Sequence, residues 1–365
     1  EANTFTSFSC TTSGVSLTFG AGKSQTINGA FTITGAALQS STEGSQWKLS
    51  VPIANANITG ATVTDSYSEN DSIPADASTD NGNNTNWDFE NQEYIWLGVS
   101  GKNWKTAANW SPKSIPGKSA AAIIPGGLAQ YPELSDAITV KNLTIGSSAD
   151  KSAKITISDT NNLTVTSDGF TNYGTVNYVS SGRIVNSSSV AINDVSNKGT
   201  VSYSGGTSGS PLTVTDYGET DYANLEISGG FAKTSSALLV SGTFNGTGGS
   251  LEGDSNVIEF KDAVTFGSFT ANGSKVKLSG SSNQTLTTNS QTFQDIHFAT
   301  SGTSGTVTVN GNLISEGTII NDSSAGLTVN GSINVKASGA IENNSAAGLS
   351  VSSDITAENN TAITN

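Results

Sequence analysis

The chain has 365 residues, of which 34% are hydrophobic and 13% charged. Ordinary globular domains hold roughly 45–50% apolar and about 25% charged residues, so a thick core is excluded and a thin, extended one is expected. The net charge of −14 sets the chain against nucleic acid and anionic membranes as partners. One cysteine cannot form an internal disulfide, and no apolar run approaches the 18 residues of a membrane-spanning helix.

The N-terminus, "EANTFTSFSC", has neither the charged nor the apolar region of a signal peptide. A removed signal, or a segment of a longer chain, is the expectation. Cys10 lies in a strand-like run and reads as a buried, inert thiol, with a reactive or intermolecular thiol as the alternative. Helical periodicity is absent throughout. Short runs such as "KITIS", "NLTVTS", "TVNYVS" and "KVKLSG" alternate apolar and polar residues and are broken by Gly, Asn, Asp and Ser. Each reads as a short strand with one face in a core. The protein is expected to be all-β.

Residues 60–90 gather Asp65, Glu69, Asp71, Asp76, Asp80, Asp88 and Glu90. Three readings stand: a solvated loop with turn-forming Asp, a Ca²⁺ site using Asp65, Asp71, Asp80 and Asp88 with backbone carbonyls, or a catalytic carboxylate pair. The spacing lacks the D-x-D-x-D-G pattern of a Ca²⁺ loop. The polar run "STDNGNNTNWDF" ends on Trp87 and Phe89, expected to cap the open end of an apolar core. Residues 94–134 hold Trp96, Trp104, Trp110 and four of the seven prolines. Those tryptophans, with Tyr94, are either the core of a small junction module or a flat platform for sugar rings.

Farther along, "LLVSGTFNGTGGSL" and "VTFGSFTANGSKV" align at about 25 residues, placing Phe244 over Phe269 and Leu251 over Val276. His297, the only histidine, alternates with Ile296 and Phe298 and is expected to point outward. Arg183 is the only arginine, so a basic groove for a uronate is not expected. The C-terminal third stacks on itself from Gly305, Gly326 and Gly348. Its columns are Val307, Leu327, Leu349; Val309, Val329, Val351; Leu313, Ile333, Ile355; and Ile319, Ile341, Ile363. Asn310, Asn321, Asn330 and Asn343 follow strands and suit corners and hydrogen-bonded ladders. Coils of 20–22 residues in register imply a parallel β-solenoid. Immunoglobulin-like sandwiches, the main rival, have antiparallel strands without column register and often carry a core Trp.

"FGAGKSQTINGAFTITG", "ANITGATVTDS" and "STDNGNNTNWDF", then "WLGVSGKNWKTAANWSPKSIPGKSAAAIIPGG" with "YPEL" and "ITVKNLTIGSSA", resemble coil sets and a W-x-G, NW, IP, YP-x-L module of very large secreted bacterial surface proteins. Those proteins carry right-handed β-helices similar to filamentous haemagglutinin and pectin lyase. "SNQTLTTNSQTFQDIHF" resembles their recurring rung. The resemblance implies a parallel β-helix, an extracellular location at the bacterial cell surface, and an adhesive or structural role. The sequence itself leaves handedness open.

The expected organisation is a short β-helical segment with a closing cap (1–92), a Trp/Pro-rich junction (93–135) and a solenoid of 20–25-residue rungs (136–365). The expected function is non-enzymatic: a structural or adhesive segment that associates with itself end to end or laterally. A glycan-binding adhesin, taking host or environmental glycan or protein, is the alternative, and a polysaccharide-active enzyme on a β-helix the second. No cofactor is expected beyond Ca²⁺ at the acidic stretch.

Overall fold

The computed structural model describes residues 1–364 except 71, 76, 90–91, 114, 168, 219–220, 303–304, 337–338 and 359–361. The chain is all-β, 45% strand, and its stacked parallel strands form a β-solenoid of about 16 turns. It divides into two compact units.

The first unit contains residues 1–155, 161–171 and 184–190. Its opening coils have three faces. One holds Asn3–Phe5, Ser24–Ile27, Trp47–Ser50 and Ser66–Ser68. The second holds Phe8–Cys10, Phe31–Thr34 and Ala56–Thr59, and the third Ser16–Phe19, Ala37–Ser40, Thr62–Val63 and Thr79–Asp80. Each strand pairs in parallel with the one a turn later, Phe8 with Phe31 and Phe31 with Ala56. Because side chains alternate across a strand, Phe31 and Ile33 turn inward while Thr34 faces solvent. The inward set, including Ile27, Leu38, Leu49, Ile58 and Val63, makes one buried column. Trp47 fills it and stacks on Phe19 at 4.2 Å. The single cysteine, Cys10, is half-buried against this core and unpaired.

The Trp/Pro module is a pair of coils inside the stack. Glu93–Trp96 pairs in parallel with Ala121–Ile124, which pairs in parallel with Asn142–Ile145. On its other edge Glu93–Trp96 takes the antiparallel strand Trp110–Ser111, with Pro112 and Pro116 following. Ladder bonds run across the expected 135/136 boundary into the coil after it, and both sides fall in the first unit along with residues 1–92. The W-x-G signature has a physical reason. The Trp96 indole donates to the Gln130 carbonyl at 2.9 Å. Gly98, at φ +61°, passes so close to that carbonyl that a Cβ would collide with it.

The second unit contains residues 156–160, 172–183 and 191–365. One sheet runs through it as Thr175–Tyr178, Thr200–Tyr203, Asn224–Ile227, Phe244–Asn245, Val264–Thr265, Gln284–Thr287, Val307–Asn310, Leu327–Asn330 and Leu349–Val351. A second face stacks Leu238–Val240 through Ala362–Thr364. The third stacks Leu212–Thr213 through Ser268–Thr270, then Thr292–Phe293 through Ile355–Ala357. All four C-terminal columns hold their expected register, Val307–Leu327–Leu349 among them. In the last rung the side chains are less covered: Leu349 and Val351 are half-buried, and Ile355 and Ile363 are 46% and 59% exposed.

The upstream alignment is corrected. Phe244 pairs with Val264, and Leu251 with Phe269. Matching aromatic residues at 25 positions skipped past the true rung. The corners here are Gly-rich and short, so the ladder closes after 18 to 20 residues, whereas Val176 and Val201 pair 25 apart. Aromatic residues still cluster, with Phe266 at 4.7 Å from Phe269 and 5.3 Å from Phe293.

Candidate functional site

The acidic stretch of the first unit folds as a set of brackets. Asp65 sits at φ +50° and is 4% exposed. Its carboxylate accepts from the Gly44 amide at 3.0 Å and the Asn83 side chain at 2.6 Å. Asp80, 2% exposed, accepts from the Gly82 amide at 2.9 Å, the Asn84 side chain at 2.5 Å and the Tyr94 hydroxyl at 2.5 Å. Such charge-assisted bonds are the strong kind and hold loops in register. Of the expected Ca²⁺ set, Asp65 and Asp80 are thus bonded to N–H and O–H donors, with which a cation would have to share the carboxylate oxygens. Asp88 lies in a strand paired with Ile73–Pro74, and Asp71 lies outside the described residues. Among the described residues no three His, Cys, Asp or Glu side chains converge on a metal-sized point.

The expected sugar platform is corrected. Trp96, Trp104 and Trp110 are at most 1% exposed, and Tyr94 3%. Trp110 packs edge-on against Trp96 at 5.1 Å and Trp104 at 4.6 Å, and its indole donates to the Trp104 carbonyl at 2.8 Å. Asn109 is fully buried, accepts from the Ser100 amide at 2.6 Å and donates to the Gly101 carbonyl at 3.1 Å. The three indoles are core, with no face left for a ligand.

The aromatics that do line a cleft are the cap residues. Trp87 stacks on Phe89, centroids 5.9 Å apart and planes 17° from parallel. Phe89 is buried in the core of the opening coils and Trp87 packs against it half-buried. The Trp87 indole donates to the Ser66 hydroxyl at 3.1 Å. Among the described residues Trp87–Asp88 pairs with Ile73–Pro74 alone. Against the two rings stands the segment Ile115–Ala120. The cleft between is about 430 Å³, and Asp80, Asn86, Asp88, Tyr94 and Lys118 also line it. The sequence shows the cap pair but gives no signal that residues 115–120 return to face it. That juxtaposition comes from the parallel pairing of Glu93–Trp96 with Ala121–Ile124.

Two polar clusters lie in the second unit. His297 is on the outer face, as expected, and pairs with Asp322 at 2.7 Å. The Asn344 amide and the His297 ring hold the Asp322 carboxyl below its usual range. Among the described residues no hydroxyl or thiol hydrogen-bonds to His297. Arg183 stacks on Tyr178 and Tyr203 at 4.6 and 5.5 Å. It donates to the carbonyls of Ser180, Gly182 and Thr213 and to the Thr215 hydroxyl. Burial pushes the nearby Tyr217 and Tyr222 hydroxyls well above their usual pKa. The cluster ties loops together.

A family described as a domain of unknown function (DUF8693) matches residues 95–219. No curated protein and no solved structure matches the chain.

Proposed function

We propose that this chain is a non-catalytic structural segment of an extracellular bacterial surface protein, a β-solenoid that spaces or joins surface elements and associates with further copies. The supporting observation is the like-on-like stacking of the second unit. Val309, Val329 and Val351 form one unbroken column, and Asn310 and Asn330 bond to each other on the outside at 3.1 Å. In the C-terminal rungs each strand offers the next an in-register partner with apolar side chains at the same inward positions. That regularity suits mechanical continuity and repetition rather than a single reactive point. The low charged fraction and the absence of a thick core favour the same reading. A glycosidase would need two carboxylates roughly 5–10 Å apart and free to act as acid and base, whereas Asp65 and Asp80 are engaged by backbone and side-chain donors.

Electron microscopy of the purified chain over a concentration series tests this reading. Ordered filaments or end-to-end pairs that grow with concentration support association between copies. Particles that stay single at every concentration remove that part of the proposal. Release of reducing ends or unsaturated products from a polysaccharide panel would overturn the non-catalytic part.

A further inference from the structure

We propose that the cleft between Trp87 and the Ile115–Ala120 segment binds an uncharged glycan, with one pyranose ring against the indole. The inference goes beyond the structural role and holds whether or not copies associate.

Four of the five tryptophans are fully buried: Trp47, Trp96 and Trp110 at 0% and Trp104 at 1%. Trp87 alone is half-buried, and it lines an open cleft. A thin-cored chain that hides every other indole leaves this one reachable. The cleft volume, about 430 Å³, falls in the roughly 300–1,000 Å³ range of small-molecule sites. An aromatic wall with a few convergent polar groups is the usual make-up of such a site. The C–H face of a pyranose is an apolar patch that an indole can cover.

The polar groups point to the ligand class. Asp88 offers acceptors, Lys118 donors and Ser119 both. Among the described residues none of these three side chains takes a hydrogen-bond partner, so all three can serve a ligand. Sugar hydroxyls both donate and accept, so a mixed set suits them. The site holds one unpaired carboxylate and one unpaired ammonium on a chain of net charge −14. A uronate or sulfated glycan would meet a repulsive field, whereas an uncharged one would not. The floor is fixed in advance. Tyr94 and Asn84 both bond to Asp80, and Asn86, at φ +59°, donates to the Ser68 carbonyl at 2.9 Å. A site held by such supporting bonds loses little entropy on binding.

The experiment is titration of the full chain with hexasaccharides of glucose, mannose, galactose and N-acetylglucosamine, with hexagalacturonate as the charged comparison. Binding is read by calorimetry and by tryptophan emission, which responds at Trp87 because the other indoles are enclosed. At least one uncharged hexasaccharide is expected to bind and to shift the emission. Trp87→Phe is expected to weaken it at least fivefold, and Asp88→Asn and Lys118→Ala at least threefold each, with unchanged thermal midpoints for the two polar variants. Trp87 also touches the core, so those polar variants keep the test decisive if Trp87→Phe loosens the fold. Failure of every uncharged hexasaccharide to bind overturns the proposal. So does preference for hexagalacturonate, or binding that none of the three substitutions weakens.

Discussion

At the scale of single residues, this protein uses carboxylates as fasteners. Asp194 is the clearest case. It accepts from the amides of Asn172 and Ser196, the Ser196 hydroxyl and the Asn197 side chain, at 2.6 to 3.0 Å. Burial alone would raise its pKa, but these bonds outweigh burial and hold it below the usual value. A carboxyl with a depressed folded pKa adds stability above its unfolded pKa of about 3.9 and loses it as pH falls through the folded value. Asp194→Asn turns an acceptor into a donor facing donors, and is expected to cost about 1–3 kcal/mol at pH 7. The gap between wild type and variant in urea melts should narrow below about pH 4; a gap constant from pH 7 to pH 3 would remove the charge from the explanation. Trp110→Ala, which empties the middle of three interlocked indoles, is expected to cost about 3–5 kcal/mol, measured by the same melts. The three indoles were visible in the sequence as a group. Their burial was not, because a Trp cluster in a short module serves a core or a sugar platform equally well until the chain's return path is known.

At the scale of the element, the unit is the rung. Leu313 sits under Ile333 and is fully buried. Leu313→Ala is expected to cost about 2–5 kcal/mol, and hydrogen exchange should show the loss concentrated in the rungs that touch it, since each coil contacts its neighbours. Uniform loss of protection would contradict nearest-neighbour stability. Asn321, 1% exposed, donates to the Asn343 side-chain oxygen at 2.7 Å and its own oxygen accepts from the Ser323 amide at 3.2 Å. Asn321→Ala leaves buried groups unpaired and should cost about 1–3 kcal/mol, more than the exposed Asn330→Ala, whose partner can turn to water. Ion pairs between rungs, Lys277 with Glu259 at 3.3 Å and Lys336 with Glu316 at 3.0 Å, are solvent-accessible and worth roughly 0–1 kcal/mol each. The C-terminal rungs were legible because their repeat is nearly constant. The rungs from Phe244 to Phe269 were misread, because variable corners shift the register without changing the kinds of residue inside.

At the scale of the whole molecule, the five tryptophans lie between residues 47 and 110 and therefore in the first unit. Tryptophan emission reports that unit, while far-UV circular dichroism reports both. In a chain held by nearest-neighbour contacts, Leu313→Ala should lower the denaturant midpoint seen by circular dichroism and leave the emission midpoint in place. A matched shift in both signals would mean that the chain unfolds as one cooperative body.

What the sequence determined by itself was the period-two strand pattern, the coil length of the regular rungs, the stacking of like residues and the outward face of His297. These follow from local alternation and from repetition, which a linear chain displays directly. Tertiary structure decided which tryptophan stays reachable and that residues 115–120 come to face Trp87. It also decided which donors Asp65 and Asp80 bond to. Those depend on contacts between positions whose separation follows no period, so no pattern along the chain could carry them.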